Sequence, residues 1–267
     1  ARSVPKCPDP PQQVSQPGRV TRKYEIHVVT PMFGGGVRPG VNDPHMVRGS
    51  AVRGHLRFWW RATRGACFSL SDLRKREEEI WGSTSSPAKV TVRVSNVSKV
   101  KLGPWARFQT RYDGKRSSLP TPVNPNYPVY ALFPFQKDPP EVVQGSFQLT
   151  LEWPEREDID KDVEAALWAW VNFGGLGSRT RRGCGSLYLA SMAPDMKVID
   201  AVGGLQKWYT ECCSRYGIAL DGEVRDWPTL PATLLFKPEK KAPLEAWNIA
   251  VQTLSEFRQG TGIGRSS

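Results

Sequence analysis

Apolar residues recur with period two in some segments and with period 3.6 in others, and over residues 20–195 these segments follow one another as β-α-β-β-α-β. That order predicts an α+β protein whose first unit is a ferredoxin-like (RRM-like) domain, a four-stranded antiparallel sheet covered on one face by two helices. Residues 196–267 read as helix, strand and helix, part of a second, incomplete ferredoxin-like unit. Residues 1–19 hold five prolines and no apolar period, so they are expected to form a loose arm outside the fold.

Residues 20–30 alternate and run into Pro31 and Gly34-Gly35-Gly36, a strand followed by a loop. Ser50 is a capping residue for a helix over 50–64 that stops at Gly65, with Val52, Leu56, Trp59 and Thr63 as its core stripe. On the same helix Arg53, Arg57, Arg61 and Arg64 recur at i, i+4, i+8 and i+11, about 100° round from that stripe, as a ladder of guanidiniums. Residues 71–81 form a second helical piece closed by Gly82, and 89–97 alternate as a strand. Residues 100–138 are rich in Pro and Arg with little period and read as an insertion. A strand at 145–153, a helix at 158–173 and a strand at 185–190 complete the first unit. Beyond it come a helix at 202–216, a strand at 232–236 and a helix at 244–257, and the strand expected to close this second unit would follow Arg265, where the chain stops at Ser267.

With 37 Lys+Arg against 26 Asp+Glu the chain carries +11, which calls for a polyanionic partner, nucleic acid first. The longest purely apolar run, residues 165–171, is far short of the ~20 needed to cross a bilayer, and the first thirty residues hold no apolar block. Neither a membrane partner nor a secretory signal is expected. Five cysteines (Cys7, Cys67, Cys184, Cys212, Cys213) without a C-x-x-C argue against a disulfide framework and against a zinc site, and for a reducing, cytoplasmic setting. His27, His45 and His55 have no ligand-type spacing, so no metal and no cofactor are expected.

Two motifs carry chemistry. Residues 174–185 (GGLGSRTRRGCG) place five glycines and Arg179, Arg181 and Arg182 between a helix and a strand. Gly175, Gly177 and Gly183 permit close approach of another backbone while the guanidiniums fork onto phosphates; a connector with solvated charges is the plainer reading. The second motif is the helix that Arg48 introduces, where Arg48, Arg53, Arg57 and Arg61 add charge to a helix start already disposed to accept anions. Its plainer reading is a solvated basic face. Between them, Asp43 and His45 sit in the loop after the first strand, a candidate metal-holding carboxylate and a candidate general base, or simply a turn built on Asn42-Asp43-Pro44. No Gly-Lys-Ser/Thr opens a helix, as a nucleotide-hydrolase phosphate loop requires, and the glycines follow a helix and precede a strand, the reverse of a dinucleotide fingerprint.

The glycine-rich turn after the first strand, residues 48–62 (RGSAVRGHLRFWWRA) and residues 173–186 (FGGLGSRTRRGCGS) together resemble the RAMP superfamily of CRISPR systems. Within it, the RFWWRA segment and residues 257–265 (FRQGTGIGR) are most similar to the first-numbered Cmr subunits of type III-B effectors. The resemblance implies ferredoxin-like domains, binding of CRISPR RNA or its duplex with target RNA, and assembly beside other Cmr and RAMP subunits. It also implies that the glycine-rich loop and the basic helix are the RNA-binding elements. RAMP subunits that cut target carry an aspartate in the region of Asp43, but the subunit type resembled here is not generally the cutter.

The expected function is therefore a non-catalytic RNA-binding subunit of an RNA-guided antiviral complex, with a RAMP endoribonuclease using Asp43 or His45 as its rival. Arginine supplies 23 of the 37 cations, and its planar fork suits phosphate contact without base readout. Arg48, Arg53, Arg57, Arg61, Gly175, Gly177, Arg179, Arg181, Arg182 and Gly183 are expected to share one exposed positive groove. The insertion, with Trp105, Arg107, Arg111, Tyr112 and Arg116, is a candidate finger toward RNA or a partner.

Overall fold

The computed structural model describes residues 18–34, 47–107, 121–132, 141–195, 203–220, 225–234 and 242–259. Strand β1 (Arg19–Met32) leads to helix α1 (Gly49–Ala62), a 3-10 turn at Arg64–Cys67 and helix α2 (Leu70–Trp81). Strand β2 (Thr91–Pro104) follows, then the short pair β3 (Ala106–Arg107) and β4 (Thr121–Pro122), the one-turn helix α3 (Val129–Leu132) and strand β5 (Glu141–Pro154). Helix α4 (Glu157–Phe173), strand β6 (Leu187–Tyr188), helix α5 (Gly204–Tyr216) and helix α6 (Pro243–Gln259) complete the order.

The sheet runs β2-β5-β1-β6 with every neighbour antiparallel. Counting only these four strands, the order is 2-3-1-4 with a helix after the first and third, which is the ferredoxin-like topology read from the sequence. Period two sorts each strand into faces. Ile26 and Val28 of β1 and Phe147, Leu149, Leu151 and Trp153 of β5 enter the main core with Val52, Leu56 and Trp60 of α1 and Ile159, Val163 and Trp170 of α4. Burying a side chain such as Val52 or Leu56 contributes about 1.5–3 kcal/mol.

Helix α4 reads as apolar all round because it is covered on both sides. Its Ala165, Trp168 and Ala169 pack against Tyr209, Cys212, Cys213 and Tyr216 of α5, away from the sheet. A buried polar knot locks α1 and α2 to α4. Asp162 accepts from the Trp60 indole (3.0 Å), from Arg64 (3.2 Å) and twice from Arg76 (3.1 and 2.6 Å) while only 1% exposed.

Several local expectations shift. The core residue of α1 is Trp60, fully buried, whereas Trp59 is half-buried beside Phe173, because an i, i+4, i+8 row (52, 56, 60) faces the sheet. Ser50 does not cap: the N-cap is Arg48, with no side-chain cap hydrogen bond. Strand β2 continues through two irregularities in its pairing with β5 as far as Pro104, so the segment read as an insertion from residue 100 begins inside the sheet. Trp105 is no finger tip. It is fully buried at the end of the sheet with Phe33, Tyr127 and Trp247. Arg111, Tyr112 and Arg116 lie outside the described residues. So do residues 235–236 of the strand expected at 232–236, and residues 232–234 are not strand. No helix among the described residues is long and apolar enough to cross a membrane.

Candidate nucleic-acid interface

The loop of residues 174–185 is fastened to the end of β1 by main-chain hydrogen bonds. Ser178 N–H donates to Phe33 O (2.8 Å), Gly185 N–H to Pro31 O (3.1 Å), and Leu176 N–H to Gly185 O (2.9 Å). The Thr30 hydroxyl donates to Gly183 O (2.6 Å) and accepts from Ser186 N–H (2.8 Å). The glycines admit protein backbone and side chains at close range. At Gly185 (φ +64°) a Cβ would overlap the carbonyl oxygen of Leu176, and at Gly183 (φ +71°) it would meet the Trp247 indole at 2.7 Å. Gly175 and Gly177 lie as closely against Gly185 and Phe33. The glycines expected to receive a foreign backbone therefore serve first to make the loop stiff.

A 3-10 turn at Thr180–Arg182, entered through Arg179 in the left-handed region (φ 61°), splays the arginines outward. Ser178, Arg179, Thr180, Arg181, Arg182 and Arg258 line one concavity of about 510 Å³. Four arginines and two hydroxyl-bearing residues thus share one wall, with no carboxylate among its described lining residues. Arg181 is exposed, while Arg182 is half-buried, donating to Tyr130 O at 2.7 Å with its guanidinium 4.9 Å from the Tyr130 ring centre. Burial, and then the neighbouring charges of Arg179 and Arg258, pull Arg182 below the usual guanidinium range. A bound anion would relieve that repulsion. Beneath the arginines, burial pushes the Cys184 thiol up to about 12, so it is no thiolate nucleophile.

Sequence reasoning passed over Arg258, Ser178 and Thr180. Arg258 comes from α6, whose Trp247 indole donates to Arg182 O at 2.7 Å. The signal lay in the chain itself: in the sequence, residues 173–179 and 257–265 both place glycines and an arginine directly after a tryptophan-bearing helical segment.

The α1 arginines face elsewhere. The Arg53 guanidinium donates to the Trp81 carbonyl at the end of α2, Arg57 to the buried Glu77 at 2.7 Å, and Arg61 stands 3.8 Å from the same carboxylate. The residues of α1 that face the glycine loop are His55, stacked on Trp170 at 5.7 Å, and Trp59, whose Nε1 crowds Gly174. These sit about 200° round the helix from Arg57. The ladder and the loop therefore occupy opposite flanks of α1, and the single groove expected to hold both is not formed. Burial keeps His55 below the usual imidazole range, hence neutral at pH 7. Arg48 stands at the α1 N-cap; Asp43 and His45 lie outside the described residues. Among the described residues no three His, Cys, Asp or Glu side chains gather as metal ligands do.

The chain belongs to the RAMP superfamily, whose sequence pattern it matches over residues 25–188. It is similar to the CRISPR system Cmr subunit Cmr1-2 of Pyrococcus furiosus, 28% identical over 186 residues that cover 61% of this chain and 92% of that one. It is also similar to Cmr subunit Cmr1-1 of the same organism, 27% identical over 162 residues, 56% of this chain and 42% of the relative. The crystal structure of Cmr1 from P. furiosus in its apo form shares the fold with a TM-score of 0.55 at 19% identity, over 91% of this chain and 73% of that one.

Proposed function

We propose that this chain is a non-catalytic RNA-binding subunit of a type III-B CRISPR (Cmr) effector complex, holding guide RNA or guide-target duplex by its phosphates beside other Cmr subunits. The observation that carries the reading is the wall of four arginines, Arg179, Arg181, Arg182 and Arg258, around one concavity on a loop stiffened by its own backbone. Membership in the RAMP superfamily and the names of the Cmr relatives support the setting. A stiff loop positions guanidiniums before RNA arrives, so little ordering entropy opposes binding. Phosphate contacts fix register without reading sequence, which suits a protein that must accept any guide.

The test is the salt dependence of RNA affinity. Arg181→Ala is expected to weaken binding similarly for unrelated RNA sequences and to lower the slope of log K against log salt by about one unit. Lys75→Ala removes one charge from a side chain 81% exposed on α2 and is expected to leave the slope unchanged. Equal effects of the two substitutions would mean that net charge alone drives binding. In the same tubes labelled RNA should stay intact with and without EDTA, and cleavage lost in Asp43→Ala or His45→Ala would establish the ribonuclease instead.

A further inference from the structure

Helices α1 and α4 cover one face of the sheet, and the opposite face carries a second concavity, of about 660 Å³. His27 of β1 and Tyr188 of β6 are register partners, with ring centres 6.5 Å apart and planes inclined by 45°. Tyr188 is 46% exposed and the His27 side chain 50%. Val100 and Leu102 of β2 form the opposite flank, with Val100 55% exposed, and the floor between is low where β5 contributes the small Ser146, the register partner of His27.

The exposed Tyr188 ring beside His27 offers a face on which a flat ring can stack, while Val100, three strand spacings or about 14 Å across the sheet, bounds the far side of the floor. The polar groups around the concavity are neutral, the Ser98 and Ser146 hydroxyls and the Gln144 amide, whose Nε2 is held by Val29 O at 2.9 Å. Such groups can meet the edge of a base. The only carboxylate nearby on β1, Glu25, stands 3.9 Å from His27 Nε2, and Lys23, two residues further on the same face, supplies charge for a phosphate.

We infer that this open sheet face is a second RNA site, at which Tyr188 and His27 stack an unpaired nucleobase. The inference rests on the RNA-binding reading above and adds to it the strand state: the arginine concavity takes phosphates of any RNA, while the sheet face takes a base that is not paired. Helix α6 links the two, with Pro243 at its first turn lining the sheet-face concavity and Arg258 at its last turn lining the arginine concavity. Fifteen residues at 1.5 Å each set them about 22 Å apart along the helix. A single strand that keeps the stacked, duplex-like rise of about 3.4 Å per nucleotide spans that distance in roughly seven nucleotides, and a more extended strand in fewer.

The experiment measures fluorescence anisotropy of the full chain with a labelled oligouridine of about ten nucleotides, and with a blunt duplex of about the same length. Tyr188→Ala should weaken single-strand binding about tenfold at every salt concentration, leave the salt slope intact and change duplex binding far less. Tyr188→Phe should bind as the parent does, since the ring and not the hydroxyl does the stacking. Irradiation of 4-thiouridine RNA with the parent protein should cross-link the peptide that carries Tyr188, a readout independent of the variants. An unchanged single-strand affinity in Tyr188→Ala beside a lowered slope in Arg181→Ala overturns the sheet-face site and leaves the arginine site standing. Loss in neither variant overturns the RNA reading itself. Intact RNA affinity in Tyr188→Ala together with weakened capture by another Cmr subunit also overturns the inference, making the face a protein contact.

Discussion

The Trp247 indole nitrogen donates to the main-chain carbonyl of Arg182 at 2.7 Å across 65 residues of sequence. The bond joins α6 to the arginine loop, and the same ring stands edge-on to the buried Trp105 at 5.1 Å. Helix α6 is therefore a brace for the loop as well as the source of Arg258. Trp247→Phe keeps a ring in the cluster and drops the hydrogen bond, so urea denaturation should show a loss of about 1 kcal/mol. Trp247→Ala opens a cavity and should lose about 3–5 kcal/mol. Because Trp247 positions the loop and contacts no phosphate, Trp247→Phe should lower RNA affinity with an unaltered salt slope. A lowered slope would show that the indole, or a charge that moves with it, meets RNA directly.

Glycine contributes differently at two sites with the same backbone twist. Gly203, at the start of α5, has φ +72° and open space around its Cα, so Gly203→Ala should lose only the left-handed strain of about 1–2 kcal/mol. Gly185 has φ +64° and a Cβ there would run into the Leu176 carbonyl, an unyielding backbone atom. Gly185→Ala should lose at least about 3 kcal/mol, the strain and the overpacking together. Thermal melts of the two variants compare them directly, and equal losses would show that the loop can move off β1.

How far the sequence could be read follows from the range of the forces involved. Strand and helix periods are local, so the ferredoxin-like order was visible, and the length of β2 was not: its continuation past Val97 depends on pairing with β5, about forty residues away. The arginine loop was legible because glycine and arginine alternate within twelve residues. The fate of the α1 ladder was not. Arg57 is engaged by Glu77 on a different helix, and nothing in the spacing of arginines along α1 says which neighbour will cover them. Trp105 likewise looked exposed in a polar stretch because its partners, Phe33, Tyr127 and Trp247, come from three other segments.

Asp162 is the hub on which Trp60, Arg64 and Arg76 depend. Removing one side of a buried ion pair strands the other, so Asp162→Ala should lose about 3–5 kcal/mol in urea denaturation. The double variant Asp162→Leu with Arg76→Met replaces both charges by apolar groups and should lose less than Asp162→Ala alone. A double variant that is worse than the single one would show that the Trp60 and Arg64 contacts, and not the pair with Arg76, carry the energy.

Around that hub lies a surface network whose response to acid has a definite sign. The hydrogen bond from Lys89 holds the Glu79 carboxyl well below the usual range, at about 2, with Arg76 helping against the cost of partial burial. Burial opposes ionisation of Asp158 as well, yet the hydrogen bonds from Arg156 and Arg76 outweigh it and bring that carboxyl to about 2. In the unfolded chain the two groups titrate near about 4.3 and about 3.9, so on acidification the unfolded state takes up their protons first. Their contribution to stability is therefore complete above about pH 5 and lost as the pH falls toward 2. Because Glu79 and Asp158 are 33% and 44% exposed, added salt should shrink the effect. Urea midpoints taken at pH 6, 4 and 2.5 give the measurement: Glu79→Gln should be less stable than the parent at pH 6 and should fall less steeply on the way to 2.5. Parallel slopes in the two proteins would show that Glu79 is no better paired in the folded chain than in the unfolded one.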